Sequence, residues 1–285
     1  MRVALIGANG QLGTDLRDVL RDDEICPFVH ADFDVRDRES TTAALANARP
    51  DVVINTSAFH SVDDCESEIA PAFEVNAFAV HALARWCAEN GATFVHFSSD
   101  YVFAGDVPAP RVETDLAEPR SVYGASKLAG ELLARQACPR HFVVRTCGLY
   151  GMGGSRGKGG ANFVGLMLRL AHEGKAIRVV ADQILTPTST ADLAAAVAKL
   201  IRTERYGLYH ITNTGSCSWY EFAAKIFDLS GVEANLSPTT SAEYGARAAR
   251  PAYSVLAHRA LLAAGLEDLP PWEDALSRYL RRRAG

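Results

Sequence analysis

The chain of 285 residues is long enough for one large α/β domain with or without a smaller lobe. Hydrophobic residues make up 48% of it and charged residues 22%, as is typical of a globular enzyme with a substantial core. The net charge of −5 argues against nucleic acid as a partner, because nucleic-acid binding requires a basic surface.

The N-terminus predicts a strand and a turn, and no apolar run reaches the ~20 residues of a membrane span. We therefore expect a cytoplasmic protein with no signal peptide and no membrane partner. The cysteines are scattered and show no zinc-ligand spacing, so we expect reduced thiols and no metal site.

Short apolar segments alternate with segments of helical period through the first half of the chain. The predicted strands are Val3–Ile6, Pro27–Val29, Val52–Asn55, Thr93–Phe97 and Phe142–Arg145. The predicted helices are Gln11–Leu20, Ser40–Ala48, Ala72–Asn90 and Tyr123–Ala137. This alternation predicts an α/β fold of Rossmann type, in which a doubly wound parallel sheet carries helices on both faces.

The character of the chain changes after Arg145. The segment Gly148–Gly160 is rich in glycine and predicts a loop over a site. The elements predicted beyond it are helices at Phe163–Glu173, Ala191–Ile201, Trp219–Leu229, Val255–Ala264 and Pro271–Leu280, and strands at Ile177–Val180 and Leu208–Ile211. We predict a dinucleotide-binding domain over 1–147, to which 177–212 return. A smaller, mainly helical C-terminal lobe, 148–176 and 213–285, would bind substrate.

A glycine-rich turn follows the first predicted strand and opens the first helix. It has the spacing GxxGxxG, formed by Gly7, Gly10 and Gly13 around Asn9, Gln11 and Leu12. Glycine suits a tight turn that a pyrophosphate approaches closely, and a helix N-terminus offers free N–H groups to phosphates. The turn therefore predicts a dinucleotide site.

The acidic residue that usually binds the adenosine ribose is expected at the end of the second strand. Asp32 and Asp34 follow that strand and favour a free 2′-hydroxyl, whereas Arg36 and Arg38 could hold a 2′-phosphate. The sequence thus leaves both NADH and NADPH open.

Tyr123 and Lys127 form a YxxxK pattern at the start of a predicted helix. Residues four apart share a helical face, so the phenol and the ammonium group are expected to project into one space. A lysine cation favours the phenolate, and we therefore expect Lys127 to lower the pKa of Tyr123 and prepare it for proton transfer.

Ser99 ends the apolar strand that precedes this helix and is followed by Asp100. Ligands of open parallel sheets bind beyond the carboxyl ends of the strands. We expect Ser99 to face the cleft and to hydrogen-bond a substrate carbonyl oxygen as charge develops on it.

These motifs together resemble the extended short-chain dehydrogenase/reductase superfamily and, within it, the dTDP-4-dehydrorhamnose reductases. The blocks that carry the resemblance span nearly the whole chain: GANGQLG at 7–13, VINTSAFHSVDDCE at 53–66, VNA at 75–77, HFSSDYVFAG at 96–105, YGASKLAGE at 123–131, DQILTPT at 182–188 and ARPAYSVL at 249–256.

The resemblance implies reduction by NADPH or NADH of the C4 ketone of a dTDP-4-keto-6-deoxy-L-hexose. Tyr123 would donate the proton, Lys127 would also hold the nicotinamide ribose, and Ser99 and Asp100 would contact the sugar. Ser99 stands where the family usually has threonine, so the hydroxyl is kept. The further cofactor contacts implied are Gly10, Gln11, Leu12, Asp34, Val35, Thr56, Ser57, Ala58 and Phe97.

One departure lies on the substrate side. The family commonly has a tryptophan against the sugar at the position of Gly148, so the identity of the sugar stays open. Some members of the family bind Mg2+ near a dimer contact. Charge alone makes Glu267, Asp268, Glu273 and Asp274 candidate ligands here, but surface helix-cap carboxylates explain them better. A homodimer is left open.

Two alternatives to this reductase remain. One is a reductase or epimerase of another nucleotide-linked keto sugar. The other is a non-catalytic, NADP-binding regulatory subunit like the methionine adenosyltransferase beta subunit, which resembles the same family. Neither alternative changes the predicted dinucleotide site.

Overall fold

The computed structural model describes residues 1–153 and 162–284. Most of the glycine-rich segment predicted as a loop, residues 154–160, therefore lies outside the described residues. The strands in the described part are β1 (Arg2–Ile6), β2 (Glu24–Phe28), β3 (Val52–Asn55), β4 (Thr93–Ser99), β5 (His141–Thr146), β6 (Leu149–Tyr150), β7 (Ile177–Val180), β8 (Ile184–Leu185), β9 (Thr188–Ser189), β10 (Gly207–His210), β11 (Cys217–Ser218) and β12 (Leu236–Thr239).

The α-helices of the described part are interleaved with these strands along the chain. They are α1 (Gln11–Val19), α2 (Arg38–Ala48), α3 (Val62–Cys65), α4 (Ile69–Phe73), α5 (Ala79–Glu89), α6 (Val122–Ala137), α7 (Phe163–His172), α8 (Thr190–Leu200), α9 (Trp219–Ser230), α10 (Ser241–Tyr244), α11 (Arg259–Ala263) and α12 (Trp272–Ala284). A π-helical turn, Glu74–Phe78, joins α4 to α5, and a 3₁₀ turn, Asp100–Val102, follows β4.

A six-stranded sheet of order β10-β5-β4-β3-β1-β2 forms the centre of the large domain. Every neighbouring pair in it is parallel. Alternate residues of a strand point to opposite faces of a sheet. Leu5 of β1 accordingly packs in a cluster with residues of α1 and α8, whereas its neighbour Ile6 packs in a second cluster with residues of α2 and α5. The Rossmann-type fold predicted from the alternation is confirmed.

The second lobe has a core of its own, built from α7, α9 and α12 around Tyr150, Phe222 and Trp272. Strand β7 belongs with this core, because it pairs in parallel with β12 and not with the large sheet. Within 177–212, the segment predicted to return to the large domain, β10 pairs with β5 of the large sheet. Strand β12 was not predicted from the sequence, because Pro238 within it weakens the strand pattern.

Several predicted elements differ from the structure in their bounds. The second strand begins at Glu24 and ends at Phe28, so Val29 lies beyond it. The helix predicted over Ala72–Asn90 begins earlier and is interrupted by the π-helical turn. The helix predicted over Val255–Ala264 is reduced to α11, because Val255 O accepts the backbone N–H of Arg111, which ties the first residues to another segment. Long-range pairing overrides helix propensity there.

None of the described helices is long and apolar enough to cross a membrane. All six cysteines are free thiols, as expected.

Candidate active site

A cleft of about 640 Å³ lies between the carboxyl ends of the sheet strands and the second lobe. Of the predicted site residues, all but Gly13 line it: Gly7, Asn9, Gly10, Gln11, Leu12, Asp34, Val35, Thr56, Ser57, Ala58, Phe97, Ser99, Asp100, Tyr123, Lys127 and Gly148. Residues up to 141 positions apart in the sequence, from Gly7 to Gly148, thus meet in one space.

The turn between β1 and α1 has the conformation that its glycines predict. Gly7 has a φ of +81°, and a Cβ there would lie 2.4 Å from Thr56 Oγ1. Thr56 Oγ1 donates to the carbonyl oxygen of Ile6 at 2.8 Å, which fixes the turn to the end of β3. A Cβ on Gly13 would lie 2.2 Å from the carbonyl oxygen of Gly7. Gly13 therefore lies behind the turn and permits close packing.

Gly10 differs from the other two glycines of the motif. Its φ is −77°, and a Cβ there would meet only the carbonyl oxygen of Gly7, at 3.3 Å. Among the described residues no side chain caps α1 here, so the backbone N–H groups of its first turn have no side-chain acceptor in that part of the chain. A helix N-terminus of this kind fits the pyrophosphate of a dinucleotide.

The acids that follow β2 are already engaged in local contacts. Asp32 Oδ2 accepts the backbone N–H of Val29 at 2.7 Å. Arg36 donates to both carboxylate oxygens of Asp34, from Nε at 3.0 and 3.1 Å and from Nη2 at 2.6 Å, and this pairing lowers the pKa of Asp34 to about 2. Arg36 and Asp34 both line the cleft, so this end of it offers a carboxylate and a guanidinium group side by side.

Helix α6 carries both members of the YxxxK pair into the cleft. Ser121 caps the helix by accepting the N–H of Gly124 at 3.2 Å, and Glu66 Oε1 accepts the N–H of Val122 at 2.8 Å. A Cβ on Gly124 would lie 2.2 Å from the carbonyl oxygen of Tyr101, so the helix start packs directly against the 3₁₀ turn after β4. This contact places Tyr123 beside the end of β4.

The electrostatics of the pair differ from the expectation. Burial raises the pKa of Tyr123, and its hydrogen bond with Ser99 opposes that rise. The expected lowering by Lys127 is therefore wrong for the protein by itself. The reason is that the burial of Tyr123 itself is the largest effect on its pKa. Lys127 is only 3% exposed as well, and burial lowers its pKa to about 8. Tyr123 is a neutral phenol here, which is the protonation state of a proton donor.

The sequence analysis did not predict the residues that hold helix α6 in place. Asn76, in the π-helical turn, donates to Ser126 Oγ of α6 at 3.0 Å, and its Oδ1 accepts the N–H of Phe59 at 2.9 Å. A Cβ on Gly130 would lie 2.1 Å from the carbonyl oxygen of Asn76. Asn76 and Glu66 lie within the quoted blocks, but only the fold shows what they contact.

Gly148 lines the cleft at a φ of +56°, a conformation that favours glycine. A Cβ there would lie 2.9 Å from Leu185 Cδ1, so a large side chain at this position would require the chain to shift. Aromatic side chains reach the cleft from the second lobe instead, where the rings of Phe163 and Trp219 lie 4.7 Å apart.

The four candidate magnesium ligands do not form a cluster. Asp268 lies 2.7 Å from His258 Nδ1, and Asp274 accepts Arg278 Nε at 2.9 Å. No group of three or more His, Cys, Asp or Glu residues in the described ranges could hold a metal ion.

Comparison with known proteins shows the family. Residues 1–284 match the family model described as the RmlD substrate binding domain. A dTDP-4-dehydrorhamnose reductase of Streptomyces griseus is 39% identical over 97% of this chain and 92% of its own. The chain belongs to the dTDP-4-dehydrorhamnose reductase family. It is therefore an NAD(P)H-dependent oxidoreductase, as the resemblance predicted.

Two further members of similar length support this assignment. The spore coat polysaccharide biosynthesis protein SpsK of Bacillus subtilis is 41% identical over 99% of this chain and 98% of its own. The crystal structure of a dTDP-4-dehydrorhamnose reductase from Bacillus anthracis, in complex with NADP, superposes with a TM-score of 0.94. It is 41% identical and covers 99% of both chains.

Proposed function

We propose that the chain reduces the C4 ketone of a dTDP-4-keto-6-deoxy-L-hexose, the reaction that forms dTDP-L-rhamnose, with Tyr123 as the proton donor. The observation that carries this proposal is the convergence of the uncapped α1 N-terminus, Ser99, Tyr123 and Lys127 in one cleft. Relatives named as dTDP-4-dehydrorhamnose reductases, one of them in complex with NADP, supply the substrate class.

The residues fit a nicotinamide dinucleotide. The turn formed by Gly7 and Gly10, with the free N–H groups of α1, would hold the pyrophosphate. The pair of Asp34 and Arg36 would face the adenosine end, and Lys127 would hold the nicotinamide ribose. The bound dinucleotide, NADPH or NADH, supplies the hydride that reduces the ketone.

The side chains of Tyr123 and Ser99 then protonate and hydrogen-bond the oxygen of the ketone. Tyr123 keeps its phenolic proton because burial raises its pKa, so it can donate that proton to the oxygen as negative charge develops there. Ser99 lies next to Tyr123 and adds a second hydrogen bond to the same oxygen. Such polar contacts stabilise the developing alkoxide more than the ketone, which is what accelerates the reaction.

A coupled assay tests this function. The protein is mixed with dTDP-4-keto-6-deoxyglucose, a separate 3,5-epimerase and either NADPH or NADH, and the sugar nucleotide is analysed by mass spectrometry and NMR. We expect oxidation of the dinucleotide and formation of dTDP-L-rhamnose, only when the epimerase is present. Reduction of a different keto sugar alone would favour the first alternative, and no oxidation with any 4-keto sugar would favour the regulatory subunit.

A further inference from the structure

Asp100 is a buried carboxyl group in the substrate half of the cleft. It is 3% exposed and lines the cleft directly after Ser99. Its oxygens accept hydrogen bonds from neutral donors, which include Ser99 Oγ at 2.8 Å and Cys147 Sγ at 2.9 Å. No lysine, arginine or histidine nitrogen lies within 4.0 Å of it in the part of the chain that the structure describes.

This environment favours the uncharged form of the carboxyl group. A buried carboxylate without a cation is costly, and hydroxyl and thiol donors compensate for it only in part. Burial accordingly raises the pKa of Asp100, although hydrogen bonds with Cys147, Ser254 and Ser99 oppose the rise. The guanidinium group of Arg250, on the neighbouring segment, is paired with Asp63 at 2.8 Å.

The number of hydrogen bonds that the Ser99 hydroxyl can make links the protonation state of Asp100 to the reaction. A serine hydroxyl has one hydrogen to donate and two lone pairs to accept with. One lone pair of Ser99 Oγ accepts the N–H of Tyr101 at 3.2 Å. Ser99 also shares a hydrogen bond with the phenol of Tyr123. When Tyr123 turns its proton to the ketone oxygen, the second lone pair of Ser99 becomes available. If Asp100 is a carboxylate, the single hydrogen of Ser99 points at Asp100. If Asp100 is protonated, its own hydrogen can occupy the second lone pair, and the hydrogen of Ser99 is released toward the cleft.

We propose that Asp100 is a positioning residue that acts as a neutral carboxylic acid and thereby turns the Ser99 hydroxyl into a donor to the ketone oxygen of the substrate. The inference rests on the function proposed above. Asp100 neither gains nor loses a proton in the cycle, because Tyr123 supplies the proton that the alkoxide takes up. Asp100 contributes by setting the direction in which the Ser99 hydroxyl donates its hydrogen bond.

The titratable groups around Asp100 are the Cys147 thiol, Tyr101 and Tyr123, and burial raises the pKa of each of them. They therefore remain neutral while Asp100 titrates. Lys127, in the same cleft, has a pKa lowered to about 8. Because the carboxylate form holds the hydrogen of Ser99, turnover should fall as the pH rises through the pKa of Asp100. A separate fall is expected near pH 8, where Lys127 loses its charge.

Asp100→Asn tests the inference, because an amide donates to Ser99 as the protonated acid would. The matched control is Asp106→Asn, an exposed aspartate that pairs with Arg120 outside the cleft. We expect Asp100→Asn to keep the fall in turnover near pH 8 and to lose the other pH-dependent fall, because an amide does not titrate. A loss of more than about tenfold, in a folded variant, would mean that the ionised form is needed and would overturn the proposal.

Infrared spectroscopy provides a readout that needs no substrate. The difference spectrum of wild type minus Asp100→Asn should show the carbonyl stretch of a protonated carboxylic acid at neutral pH, and the Asp106→Asn difference should not. A carboxylate band in its place would overturn the proposal even if the enzyme reduces the expected sugar. Failure of the wild type to reduce any 4-keto sugar would instead refute the proposed function. If Asp100→Asn does not fold, Asp100→Ser takes its place in both measurements.

Discussion

Glu66 Oε1 accepts a 2.8 Å hydrogen bond from the backbone N–H of Val122, in the first turn of the helix that carries Tyr123 and Lys127. The two residues are 56 positions apart. A carboxylate at a helix N-terminus satisfies a free N–H group and interacts favourably with the helix dipole. The residue that directly follows α3 thereby holds the start of the helix that presents the reactive phenol.

Glu66→Ala should lower the free energy of unfolding by about 1–2 kcal/mol, because it leaves a partly buried N–H group without its acceptor. Urea unfolding measures this change. Glu68→Ala is the matched control, since Glu68 is exposed and makes no side-chain cap. Equal stability of the two variants would contradict the assigned role of Glu66.

Tyr123→Phe should lose at least about 100-fold in kcat while it retains cofactor affinity, because it removes the proton donor and leaves the ring in place. Steady-state kinetics and fluorescence titration with NADPH measure the two effects. Tyr244→Phe, at a tyrosine that is 59% exposed, is the control. Full activity of Tyr123→Phe would rule out its role as the donor.

Gly10→Val and Gly13→Ala should fail in different ways. At Gly10 a side chain meets little of the protein, so the variant should fold but lose dinucleotide binding through intrusion into the pyrophosphate space. At Gly13 even a methyl group would lie 2.2 Å from the carbonyl oxygen of Gly7, so the protein itself should be destabilised. Thermal unfolding combined with NADPH titration separates the two effects. Unchanged affinity of folded Gly10→Val would count against the turn as the phosphate site.

Lys127 makes a pH-dependent contribution to stability. Its pKa is about 8 in the folded chain against 10.5 in the unfolded one, because burial penalises the charge. Below pH 8 both states are protonated and the folded state bears the full penalty, on the order of 3 kcal/mol. Between pH 8 and 10.5 the unfolded state binds more protons, so the stability of the wild type should rise with pH relative to Lys127→Met.

Urea unfolding of wild type and Lys127→Met at pH 7 and pH 10 measures this difference. We expect the methionine variant to be the more stable at pH 7 and its advantage to shrink at pH 10. Lys199→Met, at an exposed lysine of α8, should show no such change. An advantage that is the same at both pH values would mean that Lys127 is not desolvated.

The sequence predicted the large sheet well because its signals are local. Val52, Val53 and Ile54 are apolar at successive positions, as expected of a strand that is buried on both faces. The GxxGxxG spacing is typical of a tight turn that binds phosphates. The second lobe was harder to predict. The pairing of β7 with β12 joins segments about 60 residues apart, and the proline in β12 weakens its strand signal.

The site residues likewise fall into those with a local sequence signal and those whose role depends on contacts between distant segments. Ser99, Tyr123 and Lys127 could be named from their place in the motifs, because their spacing reflects the chemistry directly. The effect of burial on Tyr123 could not be named, since desolvation depends on every segment that covers the side chain. The contacts of Asp100 with Cys147 and of Asn76 with Ser126 likewise join distant parts of the chain.

The most direct measurement of the central claim is isotope transfer from the dinucleotide to the sugar. NADPH or NADH carrying deuterium at the reactive carbon of the nicotinamide ring is incubated with the protein, dTDP-4-keto-6-deoxyglucose and the 3,5-epimerase, and the sugar is analysed by NMR. We predict that deuterium appears at C4 of dTDP-L-rhamnose with the wild type and that Tyr123→Phe forms this product far more slowly. A wild-type protein that binds the dinucleotide but transfers no deuterium to any dTDP-4-keto sugar would contradict the account.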